Sequence, residues 1–127
     1  MADAAILILR VVLGVVMILH GAYKFQNKSL FDRKWRDDYG FPGGSVLLSG
    51  IVQVAGGLAL IGGVFSRLAA LILLLVMLVA TYVSIAKHHE PFLSTPDGKG
   101  WDVNFLLIGA LIALIFLGDG KWALAGW

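Results

Sequence analysis

The sequence predicts an all-α fold: an integral membrane four-helix bundle with a short interfacial helix in the first loop. Of its 127 residues, 59% are hydrophobic and only 14% are charged, and the apolar residues collect in four long stretches. A soluble domain usually has about 25% charged residues, so this chain has too few polar side chains to cover a single domain in water. The alternative, a soluble helical bundle, would place a polar stripe along each helix, and the third stretch has no charged residue between Leu68 and Ala86.

Each apolar stretch is close to the length of about 20 residues that a membrane-spanning helix needs. We expect spans at about residues 4–25, 45–65, 67–87 and 102–118, so that residues 1–127 form a single membrane domain. The first span is not expected to be a cleaved signal peptide, because Arg10 interrupts its apolar run.

The first loop is the most polar segment, and its aromatic residues predict a short helix that lies in the membrane interface. Phe31, Trp35 and Tyr39 recur every four residues, which places them on one helix face. Ser29 is the expected N-cap of this helix. Two roles are open for it, a packed connector between two spans or a lid over a site.

Positive charge is concentrated in and beside the first and third loops. These segments contain Lys24, Lys28, Arg33, Lys34, Arg36, Lys87 and Lys99, whereas the opposite side has only Arg67 and Lys121. The positive-inside rule then places the first and third loops in the cytoplasm. We therefore expect a multi-pass protein of a prokaryotic-type plasma membrane.

The composition also excludes several classes of function. The chain has no cysteine, which excludes disulfides, thiol catalysis and thiolate-held iron–sulfur clusters. Its net charge of +2 is spread along the chain and gives no basis for nucleic-acid binding. The sequence contains no nucleophilic triad pattern, phosphate loop or dinucleotide fingerprint.

Arg10 is the residue of the first span that most needs an explanation. It keeps its proton in proteins, and near the middle of a membrane it costs at least about 2.5–3.5 kcal/mol unless it is paired or hydrated. Gly14 and Gly21 lie on the same side of the helix, and small residues indicate that this side faces another helix. Three interpretations are open: Arg10 bonds to backbone carbonyls and Gln53 as a structural lock, it binds an anion or a polar ligand head group, or it snorkels to the interface.

The second interpretation predicts a polar pocket inside the helices. Its candidate ligand-binding residues are Arg10, His20, Lys24 and Gln53, with His89, Asp102 and Asn104 near its mouth. No catalytic residue can be named from the sequence. No metal site is predicted; if the chain held a metal ion or a haem, the candidate ligands would be His20 and His88.

The segment LRVVLGVVMILHGAYKF, with Arg10, Gly14, His20, Gly21 and Lys24, resembles the opening signature of the DoxX family of small membrane proteins. The segments QVAGGLALIGGVFSRLAAL and LGDGKWAL resemble its later parts, so the resemblance covers nearly the full chain. It implies a four-helix integral membrane protein. The family takes its name from a subunit of an archaeal terminal quinol oxidase, related proteins are assigned to thiosulfate:quinone oxidoreduction, and other members look like accessory or chaperone-type membrane proteins.

The chain departs from the family pattern at four positions. Gln53 stands where the family commonly has a glutamate, so the neutral amide provides no counter-ion for Arg10. Asp119 replaces a frequent proline, and Ala123 and Ala125 replace a serine and an aspartate. The resemblance therefore implies no proton-transfer role at these positions in this chain.

The leading hypothesis is a redox-associated membrane protein that engages a quinone or a sulfur-oxyanion pathway as a subunit or partner. If it is an enzyme, it is an oxidoreductase or an oxidoreductase subunit that acts with quinone. The sequence identifies no cofactor; quinone is a candidate and haem is disfavoured. The alternative is a non-enzymatic scaffold or assembly factor that docks other membrane subunits through its glycine-rich faces. The expected partners are the lipid bilayer, other membrane or redox subunits, or a second copy of the chain; a transporter is a third and less favoured class.

Overall fold

The computed structural model describes residues 2–26 and 45–125. These residues form four α-helices and no extended β-strand, which confirms the predicted all-α class. The helices are α1 (Ala2–Gln26), α2 (Ser45–Gly62), α3 (Ser66–Ala86) and α4 (Asp102–Leu117). Their bounds agree with the predicted spans to within about three residues at each end. The predicted interfacial helix around Ser29–Tyr39 lies outside the described residues.

The outer surfaces of the four helices are apolar. Among the described residues, α1 and α3 are long and apolar enough to cross a membrane, and shorter apolar helices cover residues 47–62 and α4. Large apolar side chains point outward from every helix, among them Leu19, Leu48, Leu75 and Phe116. A soluble monomer rarely exposes an apolar surface of this extent, whereas a lipid bilayer solvates it.

The antiparallel helices α1 and α2 bring their backbones into near contact through two pairs of glycines. A Cβ atom added to Gly14 would lie 2.6 Å from the carbonyl oxygen of Gly57, and one added to Gly57 would lie 2.6 Å from that of Gly14. Seven residues later in α1 and seven residues earlier in α2, an added Cβ on Gly21 would lie 2.8 Å from the carbonyl oxygen of Gly50. The glycine-rich faces predicted to meet another helix therefore meet each other inside the protein.

One core lies between the helices. Its fully buried side chains include Met17, Leu60, Leu73, Leu111 and Leu114, so each of the four helices contributes to it. Lipid tails are as apolar as leucine, so in a membrane these residues stabilise the fold through close van der Waals packing and not through transfer out of water.

The turn between α2 and α3 is paired with the segment that follows α4. Gly63 takes a left-handed backbone conformation with φ +71°, which a glycine adopts without strain. The N–H groups of Leu124 and Ala125 donate to the carbonyl oxygens of Gly62 and Gly63, each at 3.1 Å. The N–H of Phe65 donates in return to the carbonyl oxygen of Ala125 at 2.9 Å. The C-terminal segment thus covers the end of the molecule at which α1 begins.

Candidate functional site around a buried arginine

Arg10 lies at this end of the molecule, beneath the α2–α3 turn, and only 1% of its surface is exposed. Its Nε donates to the carbonyl oxygen of Leu60 at 3.0 Å, and one terminal nitrogen donates to that of Asp119 at 2.6 Å. The other terminal nitrogen is 3.4 Å from the carbonyl oxygen of Ile61. Three backbone carbonyls from two distant parts of the chain therefore surround one guanidinium group.

Two of these carbonyls belong to the last turn of α2. The final carbonyls of a helix have no N–H partner within the helix, and they form the negative end of its dipole. A cation placed there satisfies the carbonyls and is stabilised by the dipole. Arg10 is thus a capping group for the C-terminus of α2. This agrees with the interpretation in which Arg10 bonds to backbone carbonyls as a structural lock.

Asp119 connects Arg10 to the beginning of α3. Its backbone carbonyl accepts from Arg10, while its side-chain Oδ1 accepts from the backbone N–H of Ser66 at 3.0 Å. Ser66 is the first residue of α3, and a carboxylate at a helix N-terminus binds an otherwise unpaired N–H group and favours the helix dipole. Asp119 itself is buried. Two charged residues thus bind the two helix ends on either side of one turn.

Gln53 is buried, but it does not bind Arg10. Its side-chain nitrogen lies 4.0 Å from the sulfur of Met17, and its Oε1 has no hydrogen-bond partner among the described residues. The glycine pairs set the alignment of α1 with α2, and this alignment places Gln53 about two helical turns from Arg10.

His20 and Lys24 lie further along α1. The exposed ring of His20 has its Nδ1 2.7 Å from the carbonyl oxygen of Val16 in the same helix. The ammonium group of Lys24 donates to the hydroxyl of Ser49 on α2 at 2.6 Å. Along the helix axis these residues are about 15 Å and 21 Å from Arg10, so neither of them contacts its guanidinium.

The remaining candidates lie near the connection between α3 and α4. His88 and His89 are exposed, and Asn104 is buried in the first turn of α4. Asp102 accepts hydrogen bonds from the hydroxyl and the backbone N–H of Ser94, which orders this connection. Across the described residues, no group of three or more His, Cys, Asp or Glu side chains is placed to hold a metal ion.

The described structure therefore brings Arg10 together with Asp119 and leaves the other predicted pocket residues apart from it. Their roles in ligand binding stay predictions. Sequence reasoning did not identify Leu60 and Ile61 as partners of Arg10, because they contribute backbone atoms that leave no side-chain signature. The capping of α3 by Asp119 had one sequence signal, the Gly-Asp-Gly turn at residues 118–120.

These features define an all-α membrane protein with a buried arginine that joins its helix ends. A family model described as DoxX matches residues 5–86, and the chain belongs to the DoxX family. An uncharacterized protein of Haemophilus influenzae is 30% identical over 116 residues, which cover 91% of this chain and 84% of that protein. No solved structure matches the chain.

Proposed function

We propose that this protein is an accessory membrane subunit or assembly partner of a redox enzyme and has no reaction of its own. One observation carries the proposal: within the described residues, the polar side chains predicted to form a pocket do not converge. Arg10 binds helix ends, Lys24 binds Ser49 and Gln53 lies against Met17. The redox class of the partner follows from the resemblance to a family that includes quinol oxidase subunits.

The proposal includes four membrane spans in one domain. Helices α2 and α4, with 18 and 16 residues, are about 27 Å and 24 Å long. A hydrocarbon core about 30 Å thick accommodates such helices by modest local thinning. Trp101 and Trp122 flank α4 at its two ends, where aromatic side chains anchor a short span at the interfaces.

The outward face of α4 supports a contact with another membrane helix. A Cβ atom added to Gly109 would meet nothing within 4 Å, and Ala113, one turn further on, is also exposed. Phe116 is 80% exposed on the same helix. Small residues on an outward face allow a neighbouring helix to approach closely. We assign this face to the partner because the glycines of α1 and α2 already pack against each other.

The proposal can be tested by cross-linking through single cysteines. Because the chain contains no cysteine, any cysteine introduced is the only one that can react. Ala113→Cys on α4 and Leu75→Cys on the exposed face of α3 form a matched pair for cross-linking in native membranes. We expect Ala113→Cys to give a discrete adduct with a subunit of a redox enzyme and Leu75→Cys to give none.

A reduced-minus-oxidised absorbance spectrum of the purified chain completes the test. An accessory role predicts a flat spectrum. A haem Soret band, or a quinone band at near-stoichiometric amounts, would assign a redox site to the chain itself and overturn the proposal. An adduct that contains only a second copy of the chain would replace the redox partner with a homo-oligomer.

A further inference from the structure

A cleft of about 450 Å³ opens at the surface beside Arg10. It lies between the first turns of α1, the end of α2 and the C-terminal segment. Its lining includes Leu7 and Arg10 from α1, Ile61 from α2, and Lys121, Trp122 and Leu124 from the C-terminal segment. None of the predicted pocket residues other than Arg10 contributes to it.

Two of the residues that line this cleft are cations, Arg10 and Lys121. Arg10 places one positive charge at the inner end of the cleft, while its buried guanidinium, which is 1% exposed, donates to three backbone carbonyls. Lys121 adds a second positive charge, and its side chain is exposed. None of the described residues that line the cleft is acidic. Asp3, outside the lining, accepts a hydrogen bond from the backbone N–H of Lys121 at 3.1 Å.

The rest of the cleft is apolar and open to the outside. Leu7 and Ile61 form part of its wall, while Trp122 and Leu124 are 58% and 83% exposed. An aromatic and a basic side chain beside each other are typical of the membrane interface, where lipid head groups lie. The cleft therefore combines two cations with an apolar surface that leads away from them.

We propose that this cleft binds the phosphate group of an anionic phospholipid. The exposed ammonium group of Lys121 contacts the phosphate oxygens, and the buried positive charge of Arg10 behind it attracts the same anion. The acyl chain lies along Leu7, Ile61 and Leu124. A quinone ring is neutral and would leave the two positive charges without an anion. The charge of the site therefore favours a phospholipid over a quinone. This inference is independent of the accessory role proposed above.

The test uses the purified full-length chain in a neutral detergent, titrated with short-chain phosphatidylglycerol and followed by native mass spectrometry. We expect saturable binding of one phosphatidylglycerol and much weaker binding of phosphatidylcholine with the same acyl chains. Lys121→Gln should weaken phosphatidylglycerol binding about fivefold, the effect of one cation near a lipid surface. Lys121→Arg should preserve the binding. Lys87→Gln removes an exposed lysine beyond the far end of α3 and should have no effect.

Several outcomes would overturn the proposal. Equal weakening by Lys87→Gln would show that surface charge attracts the lipid without a site. Binding of phosphatidylcholine as tight as that of phosphatidylglycerol would show that the net charge of the lipid head group has no role. Displacement of the lipid by inorganic phosphate at a similar concentration would define a site for free oxyanions, and displacement by a neutral quinone analogue would define a quinone site. Unchanged circular dichroism of Lys121→Gln shows that the variant reports on binding and not on folding.

Discussion

Arg10 is stabilised by backbone atoms of residues 50 or more positions away along the chain. Replacing it with alanine would remove three hydrogen bonds from a charged group to buried backbone carbonyls, and the carbonyl of Leu60 would keep only the N–H of Gly63 at 3.3 Å. A hydrogen bond to a charged group contributes about 1.5–3 kcal/mol. We expect Arg10→Ala to lower the free energy of unfolding by about 3 kcal/mol, measured by denaturation in detergent micelles.

Arg10→Lys is the matched variant, because it keeps the charge and removes the planar arrangement of donors. An ammonium group is a compact point charge and does not reproduce the fork of a guanidinium. We expect it to recover only part of the lost stability. An Arg10→Ala variant as stable as the original protein would show that water already satisfies these carbonyls.

The carboxylate of Asp119 stabilises the first turn of α3. Removing a capping side chain costs about 1 kcal/mol, so Asp119→Ala should lower the free energy of unfolding by about that amount. The hydrogen bond to Arg10 uses the backbone of this residue and survives the substitution. Asp97→Ala changes an exposed aspartate in the connection before α4 and should leave the stability unchanged. Equal effects of the two substitutions would contradict the capping role.

Among the helices, the contact of α1 with α2 depends on glycine, whereas the outward face of α4 does not. Gly57→Ala places a methyl group 2.6 Å from a backbone oxygen, which forces the two helices apart. Inserting a methyl group into a tight contact costs about 1–3 kcal/mol. Gly109→Ala meets open space and gains up to about 1 kcal/mol of helix propensity. Thermal unfolding of the two variants in detergent checks this difference in sign, and a destabilised Gly109→Ala would contradict the open face of α4.

The positions of the helices could be predicted from the sequence, but the alignment between them could not. Long apolar runs bounded by polar turns define each helix within a few residues. The glycines of α1 correctly indicated a close neighbour. Nearly every residue of α2 is apolar, however, so its sequence leaves the register against α1 open. For that reason the sequence allowed Gln53 beside Arg10, whereas the glycine pairs place it beside Met17.

For the whole molecule, the distribution of basic residues predicts which ends of the helices face the cytoplasm. Single cysteines test this prediction, since the chain has none of its own. A membrane-impermeant maleimide added to intact cells should label Lys121→Cys, while Lys99→Cys should react only after permeabilisation. Both side chains are exposed in the structure, so a difference in labelling reports on topology and not on burial. The reverse pattern would invert the predicted orientation.

The candidate site could be predicted only in part, because the partners of Arg10 are backbone atoms from distant parts of the chain. Arg10 stands out in the sequence because a charged residue in an apolar run needs a partner. The partners lie on α2 and after α4, and they are carbonyl oxygens that every residue possesses. Asp119 stood out in the sequence as a departure from the family pattern, and its contribution through the backbone had no sequence signal.

The distance along the chain between Arg10 and Asp119 also has a consequence for biosynthesis. Asp119 is 109 residues after Arg10, and a ribosome that adds about 5–20 residues per second makes it roughly 5–20 s later. During that interval Arg10 has the carbonyls at the newly made end of α2 as partners and lacks that of Asp119. The segment after α4 emerges later, closes over the guanidinium and binds the start of α3, so residues made late complete the environment of an arginine made 109 residues earlier.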